Sequence, residues 1–289
     1  MMARDVVELK ELPDVSKVLV KALTGAVTKK GRRAELPNRS YLMTSHEQDV
    51  ARLAEYCRVT GFTLRDEVPA TWLHVQTFPM QAALMAEDAF PFSLAGLVHV
   101  TNTMTLHRPV KVGEKLRMLV RAENLQPHAK GGTFDMVGEI HAGDELVWSG
   151  SSNYLASGAK VAGEPGEPVR LQAPEVAPSQ QWRLPPDLGR QYAKVSGDSN
   201  PIHLYPLTAK VFGFPRPIIH GMWTHAKALS SLGALPEAYE VKVQFAKPIL
   251  LPGKVGFAAA EGQDGGWGFA VVNKAGKPHL VGELGPAAS

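Results

Sequence analysis

Cysteine is almost missing from this sequence: Cys57 is the only one in 289 residues. That excludes an intramolecular disulfide framework and a cysteine-built zinc cluster, and it suits a reducing compartment, so a cytoplasmic location is expected. Excess charge of one sign is missing too, since 31 Lys and Arg against 28 Asp and Glu leave a formal net charge of +3. So small a balance argues against a nucleic-acid binder and leaves any preference for anionic ligands to local patches. Long hydrophobic runs are also lacking. No segment approaches the roughly 20 apolar residues of a membrane span. The nearest approach to an export signal, "VSKVLVKALTGAV", is interrupted by Lys17 and Lys21. Residues 15–27 read instead as an amphipathic helix, and "KKGRR" (29–33) as a basic turn. Lys29, Lys30, Arg32 and Arg33 there are either a solvated face or a phosphate site.

What is present is a globular composition, 44% hydrophobic and 20% charged, in a chain near twice the size of a typical domain. Residues 157–187 are rich in Gly and Pro and carry neither apolar period, so they read as an extended linker. The expected division is an N-terminal helix and basic turn (1–39), a first domain (40–156), the linker, and a second domain (188–289). The two domains look like copies. "LHRPVKVGEKL" (106–116) lines up with "FAKPILLPGKV" (245–255) at an offset of 139, placing Arg108 on Lys247 and Pro109 on Pro248. Alternating strand patterns precede these segments at 97–106 and 239–245, and further strand-like runs follow each. A helix candidate stands ahead of the strands in each half: "FPMQAALMAEDAF" (78–90) and "HGMWTHAKALSSL" (220–232), at an offset of 142. A helix followed by a run of antiparallel strands is an α+β pattern in which a sheet wraps a helix. Pairing the halves edge to edge or face to face would protect both sheets.

The chemistry-bearing residues are in the second half. "YAKVSGDSNPIHLYPLTA" (192–209), followed by "IIHGM" (218–222), closely resembles the signature of the MaoC-like, (R)-specific enoyl-thioester hydratase/dehydratase group of hot-dog proteins. Gly197, Asp198, Asn200, Pro201, His203 and Ala209 match that signature. The resemblance is good over 188–289. It is weaker over the first half, which is similar to the non-catalytic hot dog of fused, double-hot-dog dehydratases. It implies a double hot-dog fold and reversible syn hydration of trans-2-enoyl thioesters to (3R)-hydroxyacyl thioesters in fatty-acid metabolism, with no metal or redox cofactor. The implied substrate is an acyl-CoA or acyl-carrier-protein thioester, and the implied assembly a monomeric pseudo-dimer or a homodimer of it.

Such a reaction needs a base for water, an acid for the α-carbon and donors for the enolate oxygen. Asp198 and His203 could converge on one water, because the Asn200-Pro201 step re-aims the chain between them. By resemblance as much as by spacing, Asp198 is the expected base and His203 the group that holds the water and shuttles the second proton. Taken singly, Asp198 could be a turn residue and His203 a core histidine. Gly221 becomes an oxyanion donor if a helix starts there. Asn200 is expected to hold the turn, His220 to support the loop, and His225 to pack on or beside the helix. A metal among His203, His220 and His225 would want a clustered carboxylate or cysteine. His99 and His107 earn no role.

The first half lacks this armament. At an offset of 136, Phe62, Leu64 and Glu67 stand in place of Asp198, Asn200 and His203, and at 142 Phe78-Pro79 replaces His220-Gly221. Phe62, Trp72, Phe78 and Met80 are expected either to wall an acyl tunnel or to serve as ordinary core. Lys194, Lys210 and Arg216 are basic candidates for the tunnel mouth, or solvated surface. Two other functions fit the fold: a binding or scaffolding subunit without turnover, and a hot-dog thioesterase. The thioesterase would want a carboxylate on the helix after His220, and 222–232 contain none.

Overall fold

A computed structural model describes residues 4–19, 34–167, 170–262 and 265–287. The chain folds as β1 (Asp5–Glu8), β2 (Arg39–His46), α1 (Val50–Thr60), α2 (Ala70–Ala86), β3 (Leu97–Leu106), β4 (Leu116–His128), β5 (Gly131–Ala142) and β6 (Glu145–Ser157). The second half adds β7 (Gln180–Leu184), α3 (Leu188–Ser196), α4 (Pro206–Val211), α5 (Gly221–Ser231), β8 (Tyr239–Phe245), β9 (Gly253–Glu261), β10 (Trp267–Val272) and β11 (Pro278–Gly285). Residues 15–19 are helical, and the rest of the expected amphipathic helix, with Lys29, Lys30, Arg32 and Arg33, lies outside the described residues. No described helix is long and apolar enough to cross a membrane.

Among the described residues the sheets of the two halves join edge to edge into one of 11 strands, ordered β1-β2-β4-β5-β6-β3-β8-β11-β10-β9-β7. The seam is an antiparallel pairing of β3 with β8, from Thr101 opposite Gln244 to Leu106 opposite Tyr239. Read outward from that seam, β3, β6, β5, β4, β2 mirrors β8, β11, β10, β9, β7. The joining covers one edge of each half, which would otherwise present unpaired backbone groups. β7 corrects the reading of 157–187 as linker throughout. Its Trp182 and Leu184 face the core, and it pairs antiparallel with β9 as β2 pairs with β4. β1, too short to show an apolar period, adds a parallel edge strand beyond β2.

Two helices pack against the sheet, α2 on β3 to β6 and α5 on β10 and β11. α2 is buried on every side, all but Phe78 and Ala83, as expected of a helix wrapped by a sheet. It starts at Ala70, eight residues ahead of the helix expected at 78–90, so Phe78-Pro79 lies in its middle and not opposite His220-Gly221. α5 does start at Gly221. The lead-in repeat holds locally. α1 and α3 both end on left-handed glycines, Gly61 at φ 86° and Gly197 at φ 80°, whose N–H groups bond back to Cys57 and Ala193 carbonyls.

Candidate active site

Gly197 ends α3 and turns the chain into a loop that its own polar groups hold. The Asp198 N–H donates to Ser196 Oγ (3.1 Å), and the Asn200 N–H donates to Asp198 Oδ1 (3.1 Å). Asn200 Oδ1 accepts from the Ile202 N–H and caps a short 3-10 turn over Pro201–His203. Gly189 in α3 admits this turn. A Cβ there would stand 2.1 Å from the His203 carbonyl oxygen.

His203 Nδ1 lies 2.8 Å from the Ile218 carbonyl. A carbonyl only accepts, so Nδ1 carries the hydrogen, and in the neutral ring Nε2 keeps a lone pair. Burial holds the His203 pKa below the usual histidine range, partly opposed by the Asp198 charge. The ring therefore faces Asp198 as an acceptor. His220 stacks on it, ring centroids 3.6 Å apart at 25°, and directs Nε2–H to the Asp198 carbonyl at 2.9 Å, with Asp198 Oδ2 at 3.9 Å. Ligand atoms of Asp198, His203 and His220 fall within 4.8 Å of one another, room for one small molecule between them. The carboxylate that a metal would want is thus beside His203 and His220. One ring nitrogen of each histidine is, however, already spent on a carbonyl. His225 is fully buried on α5, and among the described residues neither of its ring nitrogens has a hydrogen-bond partner.

His220 is the N-cap of α5, and Gly221, as the first helical residue, has its N–H outside the i→i−4 ladder at the positive end of the helix dipole. Glycine also suits this position for a reason the sequence did not supply: a Cβ would stand 2.9 Å from the Phe245 ring, which would have to shift.

Asp198, Asn200, His203, His220 and Gly221 share the wall of one cavity of about 430 Å³ with Phe78. Phe62, Trp72 and Met80 are not on that wall. Trp72 and Met80 are fully buried in the main core, where the Trp72 indole donates to Gln48 Oε1 (3.0 Å), and Phe62 packs against the same core. Lys194, Lys210 and Arg216 are exposed and off the cavity, and the Arg216 guanidinium bonds the Pro252 carbonyl. Among the described residues the cation on the cavity rim is Lys247, with His279 beside it donating Nδ1–H to the Lys247 carbonyl. The repeat alignment had singled out Lys247 only as the partner of Arg108.

From the first half His74, His99 and Tyr154 also reach the wall. In β3, Asn102, Met104 and Leu106 are buried, so strict alternation would turn His99 away from them. A bulge between His99 and Thr101 reverses the parity. His99 consequently stacks on Tyr154 (4.6 Å) and meets Phe245 (4.8 Å). Strand periodicity carries no sign of such a bulge.

Comparison with known proteins agrees with this architecture. The model of the MaoC like domain family matches residues 160–280. The chain is 38% identical over 272 residues to 3-hydroxyacyl-thioester dehydratase X of Mycobacterium tuberculosis, covering 93% of this chain and 97% of that protein. The crystal structure of HtdX from the same organism superposes with a TM-score of 0.76 at 36% identity, over 86% of this chain and all of that one. A MaoC-like dehydratase from Phytophthora capsici, at 20% identity and a TM-score of 0.71, covers 86% of this chain and 95% of its own and shares the fold.

Proposed function

Because the chain belongs to the MaoC-like dehydratase family, we propose that it is a hydro-lyase interconverting (3R)-hydroxyacyl thioesters and trans-2-enoyl thioesters in fatty-acid metabolism. The observation that carries the residue assignment is the convergence of an Asp198 carboxylate oxygen and a neutral histidine acceptor beside the free N–H of a helix start.

In the hydration direction, a water between Asp198 and His203 donates one hydrogen to the carboxylate and the other to His203 Nε2. Its oxygen bonds to C3 of the enoyl thioester while Asp198 takes the first proton. The π electrons move toward the thioester oxygen, which accepts from the Gly221 N–H. The enolate then collapses, and Asp198 returns its proton to the α-carbon on the same face. Dehydration reverses each step. Acid–base assistance of this kind contributes about 10² to 10⁴ in rate, and an oxyanion donor about 10² to 10³. In place of the shuttling role expected from the sequence, His203 only holds the water and remains neutral throughout, which agrees with its lowered pKa.

Residues 40–156 act as the non-catalytic partner of 188–289, closing the cavity with Phe78, His74 and His99. One chain thus holds a whole site, and a cytoplasmic pseudo-dimer is the working assembly. Lys247 on the rim is placed for the anionic carrier of the acyl group, coenzyme A or a carrier protein.

The test is loss of enoyl absorbance with crotonyl-coenzyme A, a long-chain trans-2-enoyl-coenzyme A and their carrier-protein counterparts, with Asp198→Asn and His203→Ala beside the wild type. Wild-type turnover that falls by about 10² or more in both variants supports the assignment. Activity surviving in Asp198→Asn sinks it.

A further inference from the structure

His220 makes three contacts that the reaction as written does not use. Its Nε2–H goes to the Asp198 carbonyl at 2.9 Å and not to the carboxylate, whose Oδ2 is 3.9 Å away. Its ring lies flat on His203, and its own carbonyl accepts from the Thr224 N–H (3.2 Å) in the first turn of α5. One side chain so links the Asp198 loop, the His203 ring and the helix start that presents Gly221.

The choice of acceptor matters chemically. A hydrogen bond to the carboxylate would weaken Asp198 as a base, whereas a bond to its carbonyl fixes the loop and leaves Oδ2 free. Burial and the adjacent His203 hold the His220 pKa well below the usual range, so the ring stays uncharged and does not neutralise the carboxylate. An amide side chain could supply the N–H and a phenyl ring could supply the stack. Histidine supplies both, and the cost is visible in Nδ1, which is buried without a partner among the described residues.

We infer that His220 is a positioning residue, holding Asp198 through its backbone carbonyl and His203 through ring stacking, an inference that rests on the reaction proposed above. It acts through those two residues and does not touch the reacting atoms.

The full chain, labelled with ¹⁵N at the histidine rings, tests this by NMR and kinetics together. The Ile218 carbonyl fixes wild-type His203 as a single Nδ1–H tautomer, and His220→Ala, by letting the unsupported ring leave that carbonyl, gives a mixture. In parallel kcat falls about 10²-fold, as for a misplaced catalytic group, with KM changed less than about threefold. His220→Phe keeps the stack and His220→Gln keeps a donor, so each loses less than His220→Ala. Added to Asp198→Asn, His220→Ala lowers kcat by less than it does in the wild type, because the carboxylate it aims is already gone and only its hold on His203 remains. An unchanged His203 tautomer in His220→Ala overturns the inference. So does a full additional loss on top of Asp198→Asn, which would mark an independent role. A wild type without turnover on any thioester fails the proposed reaction instead, and the ring tautomers still decide whether His220 holds His203.

Discussion

The Phe245 ring edge stands 2.9 Å from where a Cβ on Gly221 would lie, and the same ring meets His99 at 4.8 Å between centroids. Phe245 at the end of β8 is thus wedged between the helix start and a histidine of the other half. Gly221→Ala pushes the ring toward the cavity that it lines, and kcat/KM on an enoyl thioester is expected to fall about 10- to 10²-fold although the N–H remains. Phe245→Leu in the same chain makes space and should recover part of that loss. Wild-type kinetics in Gly221→Ala would show that the ring gives way freely.

Gly189→Ala drives a Cβ onto the His203 carbonyl oxygen, 2.1 Å away, and onto backbone that cannot rotate aside. Overpacking of this kind destabilises by about 1–3 kcal/mol. Because the strain falls on the turn carrying His203, turnover per folded molecule should drop as well. Thermal unfolding and active-fraction-corrected kinetics read the two effects separately, and an intact kcat with an intact Tm would refute both.

The buried histidines make acid the weak side of this fold. Burial pushes His74 down to about 4 and His225 down to about 3, from an ordinary 6.5. The unfolded chain therefore binds protons that the folded chain refuses. The stability contributed by the neutral rings is complete above about pH 6.5 and drains as pH falls toward 4 and then 3, by up to about 1.4 kcal/mol per pH unit for each histidine. Urea midpoints measured from pH 7.5 to 4.5 should fall in that window. His225→Leu removes two unpaired buried nitrogens. It should flatten the pH dependence and leave Tm at pH 7 equal or higher; a lower Tm at pH 7 would mean the ring has a partner.

Phe78 and Trp72 separate cavity wall from core. Phe78 lines the cavity, so Phe78→Ala should shift preference toward longer acyl chains with a modest change in Tm. Trp72 is fully buried away from it, so Trp72→Ala should lower stability by about 3–5 kcal/mol and leave the ranking of chain lengths unchanged. The ratio of kcat/KM for short and long substrates in the two variants is the deciding measurement.

The sequence by itself determined the α+β duplication, the β3 and β8 patterns, a helix near 220–232 and the grouping of Asp198, Asn200 and His203. The strand patterns and the Asp198 turn are local, written in residues a few positions apart, and the duplication shows as the same local patterns met twice, while a long signature adds its own specificity. The tertiary structure decided the rest. It joined the halves along β3 and β8 into one sheet, recruited Gln180–Leu184 from an apparent linker to mirror β2, and started α2 at Ala70, where no cap announces it. It chose Lys247 over Lys194, Lys210 and Arg216 for the rim, and Phe78 over Phe62, Trp72 and Met80 for the wall. It also brought His99 inward on a bulge and laid His220 on His203. Those outcomes depend on which surfaces meet when two sheets pair and close over their helices, and side-chain type and spacing carry no record of that meeting.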